Sequence, residues 1–159
     1  MSIEKDIALL RAVATFDVLS SEALRILAIS AEERTLADGE GLFRAGEVAD
    51  CAYVVVSGRI RLVDERKADA PRMLKEVGPG TLLGETALLV ATPRPVTAVA
   101  SGSTVVVRIA RSTFVRMLES YPEAATKLRR SIAKRLDETI RALDSVRVKL
   151  EDQRQRRRR

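Results

Sequence analysis

The 159-residue chain has no histidine, no tryptophan, one cysteine, and only five other aromatic residues, three Phe and two Tyr. Without histidine there is no Ser–His pair for nucleophilic catalysis and no imidazole cluster for a metal. A lone cysteine, Cys51, allows neither an intrachain disulfide nor a thiolate zinc cage. It reads as a small buried apolar residue in a reducing, cytoplasmic compartment. No Gly-rich loop ending in Lys-Ser or Lys-Thr is present to cradle a nucleoside triphosphate. No apolar run approaches the ~18 residues of a membrane span. The N-terminus, "MSIEKDIALLRAV", lacks the basic start, long apolar centre and small-residue cleavage site of a signal peptide. Neither an enzyme, a metal site nor a membrane span is expected.

The formal charge of +6 belongs to one end of the chain. Five arginines (Arg154, Arg156, Arg157, Arg158, Arg159) fall in the last six residues, and the remainder carries only +1. A domain that reads nucleic acid spreads basic residues over a folded face, so sequence-specific DNA binding is not expected. The arginine run reads as a solvated tail, with contact to phosphates of nucleic acid or lipid as the other possibility.

Two periodicities divide the chain. Leu9, Leu10, Val13, Phe16, Leu19, Leu24, Leu27 and Ala28 recur every three or four positions, predicting two or three short helices over residues 3–30, one of them starting near Ser20 or Ser21. Short runs rich in Val, Ile, Leu and Thr follow, punctuated by glycine. They predict strands near 32–37, 41–44, 51–56, 59–65, 72–77, 81–83, 95–101 and 103–110. "YVVVSGRIRLV" reads as a hairpin turning at Ser57-Gly58. About eight short strands suggest a sandwich or small barrel, with a jelly roll as a leading candidate.

Helical period returns after Ala110. Ser112 is a candidate cap, and Pro122 suits the first turn of a long helix that meets no Gly or Pro to about residue 152. Leu136, Leu143 and Leu150 are spaced by sevens, with Ile132, Thr139 and Val146 between them. This seam predicts self-association through residues 132–150, against the alternative of a helix lying on its own domain. The expected organisation is an N-terminal helical segment (1–30), a β domain (31–121), the long helix (122–153) and a basic tail (154–159).

One stretch, "GETALLVATPRPVT" at 84–97, carries chemistry. A helical turn opening at Gly84-Glu85 leaves amide N–H groups without partners and so favours an anion. Gly84 permits close approach to the backbone, and Arg94 supplies a planar, permanently charged fork suited to phosphate. Glu85 repels phosphate but accepts hydrogen bonds from neutral hydroxyls such as those of a sugar. The spacing alone equally permits a structural Glu85–Arg94 ion pair.

"LGETALLVATPRPVTAVA" resembles the phosphate-binding cassette of the cyclic nucleotide-binding domain family, whose usual form is Phe-Gly-Glu-Leu-Ala-Leu, a short gap, then Pro-Arg-Ala-Ala-Thr. "LLRAVATFDVLSSEALRILA" and "LADGEGLFRAGEVADCAYVVVSGRIRLV" are similar to the family's helical segment and first strands, so the resemblance covers residues 8–140. It implies an α+β fold: an eight-stranded antiparallel jelly-roll barrel flanked by N-terminal helices and a long C-terminal helix. It implies that Arg94 holds the cyclic phosphate, Glu85 the ribose 2′-hydroxyl, Gly84 sits beside it, and the Ala87 amide meets the phosphate. Thr97 is expected to be structural.

The full set implied for the ligand is Gly84, Glu85, Thr86, Ala87, Arg94, Pro95, Val96 and Thr139. Pro95 departs from the pattern, because it lacks the amide the family uses there; a lost donor costs ~1–2 kcal/mol. Threonine at that position accompanies cGMP preference, so Pro95 points to cAMP over cGMP. Leu83 in place of Phe is an apolar exchange. "SIAKRLDETIRAL" resembles the dimer helix of the family's catabolite activator branch, which implies an adenine contact from Thr139; a polar spacer in the seam is the alternative. Ile140 replaces the serine that follows.

In that branch a winged helix-turn-helix comes next, and here only about ten residues remain. The expected function is thus a non-catalytic cAMP sensor acting through its C-terminal helix, hinged near residues 120–122, on an unidentified effector protein. The alternatives are a degenerate structural dimerisation domain and a truncated transcriptional regulator of the catabolite activator type.

Overall fold

The computed structural model describes residues 3–66 and 69–158, except for the side chains of 132, 135, 136 and 139. Helix α1 (Ile3–Arg11), a 3-10 turn (Ala14–Phe16) and α2 (Ser21–Ser30) form the N-terminal segment. Ser20 caps α2 as the sequence predicts, its hydroxyl accepting from the Ala23 amide at 3.2 Å. The apolar stripe Leu10, Phe16, Leu24 and Leu27 is fully buried.

Eight strands follow among the described residues: β1 (Glu32–Leu36), β2 (Gly41–Phe43), β3 (Val48–Ala49), β4 (Cys51–Asp64), β5 (Arg72–Val77), β6 (Leu82–Leu83), β7 (Thr92–Pro93) and β8 (Thr97–Ala110). All pairings are antiparallel. The main sheet runs β1-β8-β4-β5, with β2 also on β8 and β6 on β4; β3 and β7 form a separate ribbon. Hydrogen bonding does not close these two sheets into one barrel among the described residues.

The hairpin expected at Ser57-Gly58 is not there. The expected strands 51–56 and 59–65 lie, apart from residue 65, in the single strand β4, and 95–101 and 103–110 largely in β8. Both halves of β4 pair with β8: Cys51 lies opposite Ala110 and Val63 opposite Thr97. Gly58 (φ +83°) and Gly102 (φ +77°) bend the two strands together, with register shifts on both sides of Ser57. A Cβ on Gly58 would lie 2.5 Å from the Ser103 carbonyl oxygen. Buried Thr104 fills the bend, accepting from the Arg59 amide at 3.3 Å and donating within reach of the Arg59 carbonyl at 3.0 Å.

Alternation along β4 divides the core. Cys51, Tyr53, Val55 and Ile60 face inward with Leu36, Phe43, Leu83 and Val106. Ala52 and Val54 face the helices, against Leu10, Phe16, Leu24, Phe114 and Met117. Helix α3 (Arg111–Ser120) starts after Ala110, so the expected Ser112 cap is replaced by a start without a side-chain cap. Pro122 opens α4 (Pro122–Arg157), which runs on into the arginine tail. Among its described side chains, Ala124 and Leu128 near its start belong to the core. No helix among the described residues is long and apolar enough to cross a membrane.

Candidate functional site

The cassette begins where β6 ends. Gly84 adopts a left-handed conformation (φ 80°, ψ 35°) and starts a 3-10 turn over Glu85–Leu88. Its first internal bond runs from the Ala87 amide to the Gly84 carbonyl at 3.0 Å. The Ala87 amide, assigned to phosphate by the resemblance, is thus engaged within the turn, and the Glu85 and Thr86 amides precede that bond. Ala87 is buried and Thr86 exposed.

Arg94 follows β7, and its backbone is fixed on both sides: its amide donates to the Glu47 carbonyl at 2.7 Å, and its carbonyl accepts from Gly46 at 2.8 Å. The side chain turns into the inner core and is only 6% exposed. Its Nη2 donates to the Cys51 carbonyl at 2.9 Å and contacts Cys51 Sγ at 3.4 Å. The guanidinium carbon lies 4.3 Å from the Phe43 ring centroid and 5.8 Å from that of Tyr53, and the two rings stack on each other. Burial raises the Tyr53 pKa, and its hydrogen bond to Cys51 adds to the shift, so the ring stays neutral beside the cation.

The other terminal nitrogen, Arg94 Nη1, is buried and has no hydrogen-bond partner among the described residues. Gly84 faces it directly. A buried cationic donor left unmatched is costly, and an anionic oxygen is the group that satisfies it.

Glu85 takes the opposite direction. Its Oε1 accepts from the Thr15 hydroxyl at 3.0 Å. Both residues border a largely apolar cavity of about 480 Å³ between the turn and helices α3 and α4, lined also by Leu88, Phe114, Leu128 and Arg129. The turn therefore separates the two side chains: Arg94 binds the Cys51 carbonyl on one side, and Glu85 reaches Thr15 on the other. Pro95 is exposed and Val96 half-buried. Thr97 is structural, accepting from the Ala45 amide at 3.0 Å and donating to Glu65 at 2.8 Å. The Thr139 side chain lies outside the described residues, as do those of Ile132 and Leu136.

Sequence reasoning missed the supports. Phe43 and Tyr53 read only as strand apolar positions, and Thr15 as part of a helical run. Arg111 gave no signal at all: its Nε donates to the Ala87 carbonyl at 2.7 Å and its Nη2 to the Ala49 carbonyl. It ties the first residue of α3 to the cassette turn and to the β3–β7 ribbon that leads into Arg94.

The profile of the family described as "Cyclic nucleotide-binding domain" matches residues 33–121, more than half of the chain. The chain belongs to this family. It is 45% identical to a cyclic nucleotide-binding-like protein of Brucella abortus, with a TM-score of 0.67, covering 72% of this chain and 98% of that one. The N-terminal domain of a transcriptional regulator from Streptomyces coelicolor superposes with a TM-score of 0.78 at 34% identity, covering 85% and 94%. The cyclic AMP receptor protein of Thermus thermophilus is 30% identical over 129 residues, 81% of this chain and 60% of that protein. Among other curated relatives that it matches, the chain spans 6–22% of their length. The fold is the family's combination of helices with an antiparallel sheet.

Proposed function

We propose that the chain is a non-catalytic cAMP sensor whose phosphate group is held by Arg94. The observation that carries this reading is the buried, unpartnered Nη1 of Arg94 against Gly84, inside a cassette of the matching family type. Similarity to a cyclic AMP receptor protein supports cAMP in particular. Because Nη1 is covered, an incoming phosphate must separate the Gly84 turn from the guanidinium. Arg111 joins that turn to α3, and α3 leads through Tyr121 to Pro122 at the start of α4, so this displacement reaches the long helix. Ligand binding then shifts an existing balance of helix orientations rather than driving chemistry.

In the same reading, α4 joins two copies through residues 132–150 and presents the signal to an effector protein in the cytoplasm. The sheets close into the expected eight-stranded jelly roll around the ligand. Calorimetric titration with cAMP and cGMP tests the proposal, with cAMP expected to bind more tightly. A second reading, a structural dimerisation domain, is favoured by Pro95, which lacks an amide, and by the Glu85 carboxylate facing Thr15. An intact dimer that binds neither nucleotide would establish it in place of the sensor.

A further inference from the structure

The arginines in the distal half of α4 fall into two groups. Arg141, Arg147 and Arg156 each pair with a carboxylate three or four residues earlier: Asp137 at 3.2 Å, Asp144 at 3.9 Å and Asp152 at 3.5 Å. Arg154, Arg157 and Arg158 are exposed and have no ion pair among the described residues. With 3.6 residues per turn, these three share about 100° of the helix surface, and Arg156 points to the far side. Asp152 therefore neutralises the arginine outside this face and leaves the face itself uncompensated. Residues 153–159 hold five arginines, two glutamines and no carboxylate.

We infer that this face of α4 binds the phosphate backbone of duplex DNA without reading its sequence. The inference stands apart from the nucleotide reading above. Arg154 and Arg158 lie about 6 Å apart along the axis, a span of about two phosphates on one strand. All five cations are arginine, whose planar fork takes a phosphodiester in two hydrogen bonds where lysine offers a point charge. Helix α4 contains no aromatic residue, so it has no platform on which single-stranded bases could stack. The apolar seam stops at Leu150, and residues 151–159 include no apolar side chain. An interfacial membrane helix needs an apolar face beside its cations, and these turns have none. No side chain here is arranged to read base edges, so the contact is to the backbone alone.

Fluorescence anisotropy of two labelled DNA duplexes of unrelated sequence, titrated with the full chain at several salt concentrations, tests this. Both duplexes are expected to bind within about threefold of each other. Three phosphates neutralised by one copy give a slope of about −2.7 in log affinity against log salt, and two copies about −5.4. Replacing Arg154, Arg157 and Arg158 together by Gln should abolish binding, and Arg156→Gln should weaken it less than Arg154→Gln. None of these residues touches either buried cluster, so loss of binding is not loss of the fold. Absence of duplex binding at about 50 mM salt, or binding that survives the triple substitution, overturns the inference. So does tighter binding to phosphatidylglycerol–phosphatidylcholine vesicles than to the duplexes, which would make the face a membrane contact.

Discussion

Gly84 and Arg94 are in direct contact: a Cβ added to Gly84 would sit 2.2 Å from Arg94 Nη1. The glycine is also left-handed, a conformation costing an L-residue ~1–2 kcal/mol. Gly84→Ala must therefore either push the turn outward or turn the guanidinium away from Cys51. We expect a lower melting temperature and loss of cAMP binding together. An alanine variant with wild-type stability and affinity would mean that this contact does not shape the site.

Arg94→Met separates stability from function. The arginine holds a cation in a core with one nitrogen unsatisfied, and replacing a poorly paired buried ion by a similar-sized apolar side chain is often neutral or stabilising. Phe43 and Tyr53 already provide an apolar surround. The ligand-free protein should melt no lower than the wild type, while cAMP affinity falls by ~2–5 kcal/mol. Retained affinity in calorimetry would remove Arg94 from the phosphate site.

Pro95→Ala returns a backbone amide next to Arg94. The position is exposed, and Arg94 remains fixed through Glu47 and Gly46, so the loop should keep its shape. One added hydrogen bond to a charged ligand gives about 1.5–3 kcal/mol at best. Tighter cAMP binding with an unchanged melting temperature is expected. Weaker binding would show that the proline's fixed φ matters more to the loop than the donor does.

The cassette was legible because its residues are contiguous and chemically typed: a glycine for the turn, a guanidinium for an anion, a proline pair around it. Ser20 and Pro122 were legible as local helix signals. Gly58 was misread because a glycine between two apolar runs is the same signal for a hairpin and for a bend. Only pairing of both halves with β8 decides between them. β3 and β7 are two residues each, too short for any period. The direction of Glu85 depends on Thr15, and the start of α3 at Arg111 on carbonyls of Ala87 and Ala49. Such distant partners leave no mark in local sequence.

Asp64 gives a pH-dependent check at the end of β4. Its carboxylate accepts from Arg66 Nε and Nη2 and from the Arg66 amide, which holds its pKa at about 2 instead of 3.8. A carboxyl with a depressed folded pKa contributes its stabilisation above the unfolded value. That contribution fades as pH falls from 3.8 through about 2. Carbon-detected NMR titration should place the Asp64 midpoint near 2, and Arg66→Ala should return it to ~3.9. An unshifted wild-type midpoint would mean that the Asp64–Arg66 fork does not persist in solution.

Among the described side chains of helix α4, Leu128 is the last in the core, yet the helix continues to Arg157. Beyond that point Leu143 is 63% exposed, and Val146 and Leu150 are each 54% exposed, all on the heptad seam. Ion pairs Asp137–Arg141 and Asp152–Arg156 run along the helix, but exposed pairs of this kind add only ~0.3–0.5 kcal/mol each. They cannot by themselves hold a helix of this length. Covering each seam side chain with its counterpart from a second copy contributes ~1.5–3 kcal/mol, enough over several positions to outweigh the ordering cost. A parallel dimer at micromolar concentration is expected. Leu143→Glu should dissociate it while the melting temperature of the sheet domain stays put, because residue 143 touches neither buried cluster. Sedimentation equilibrium distinguishes the outcomes. A wild type that stays monomeric with and without cAMP would exclude the seam as an interface between copies.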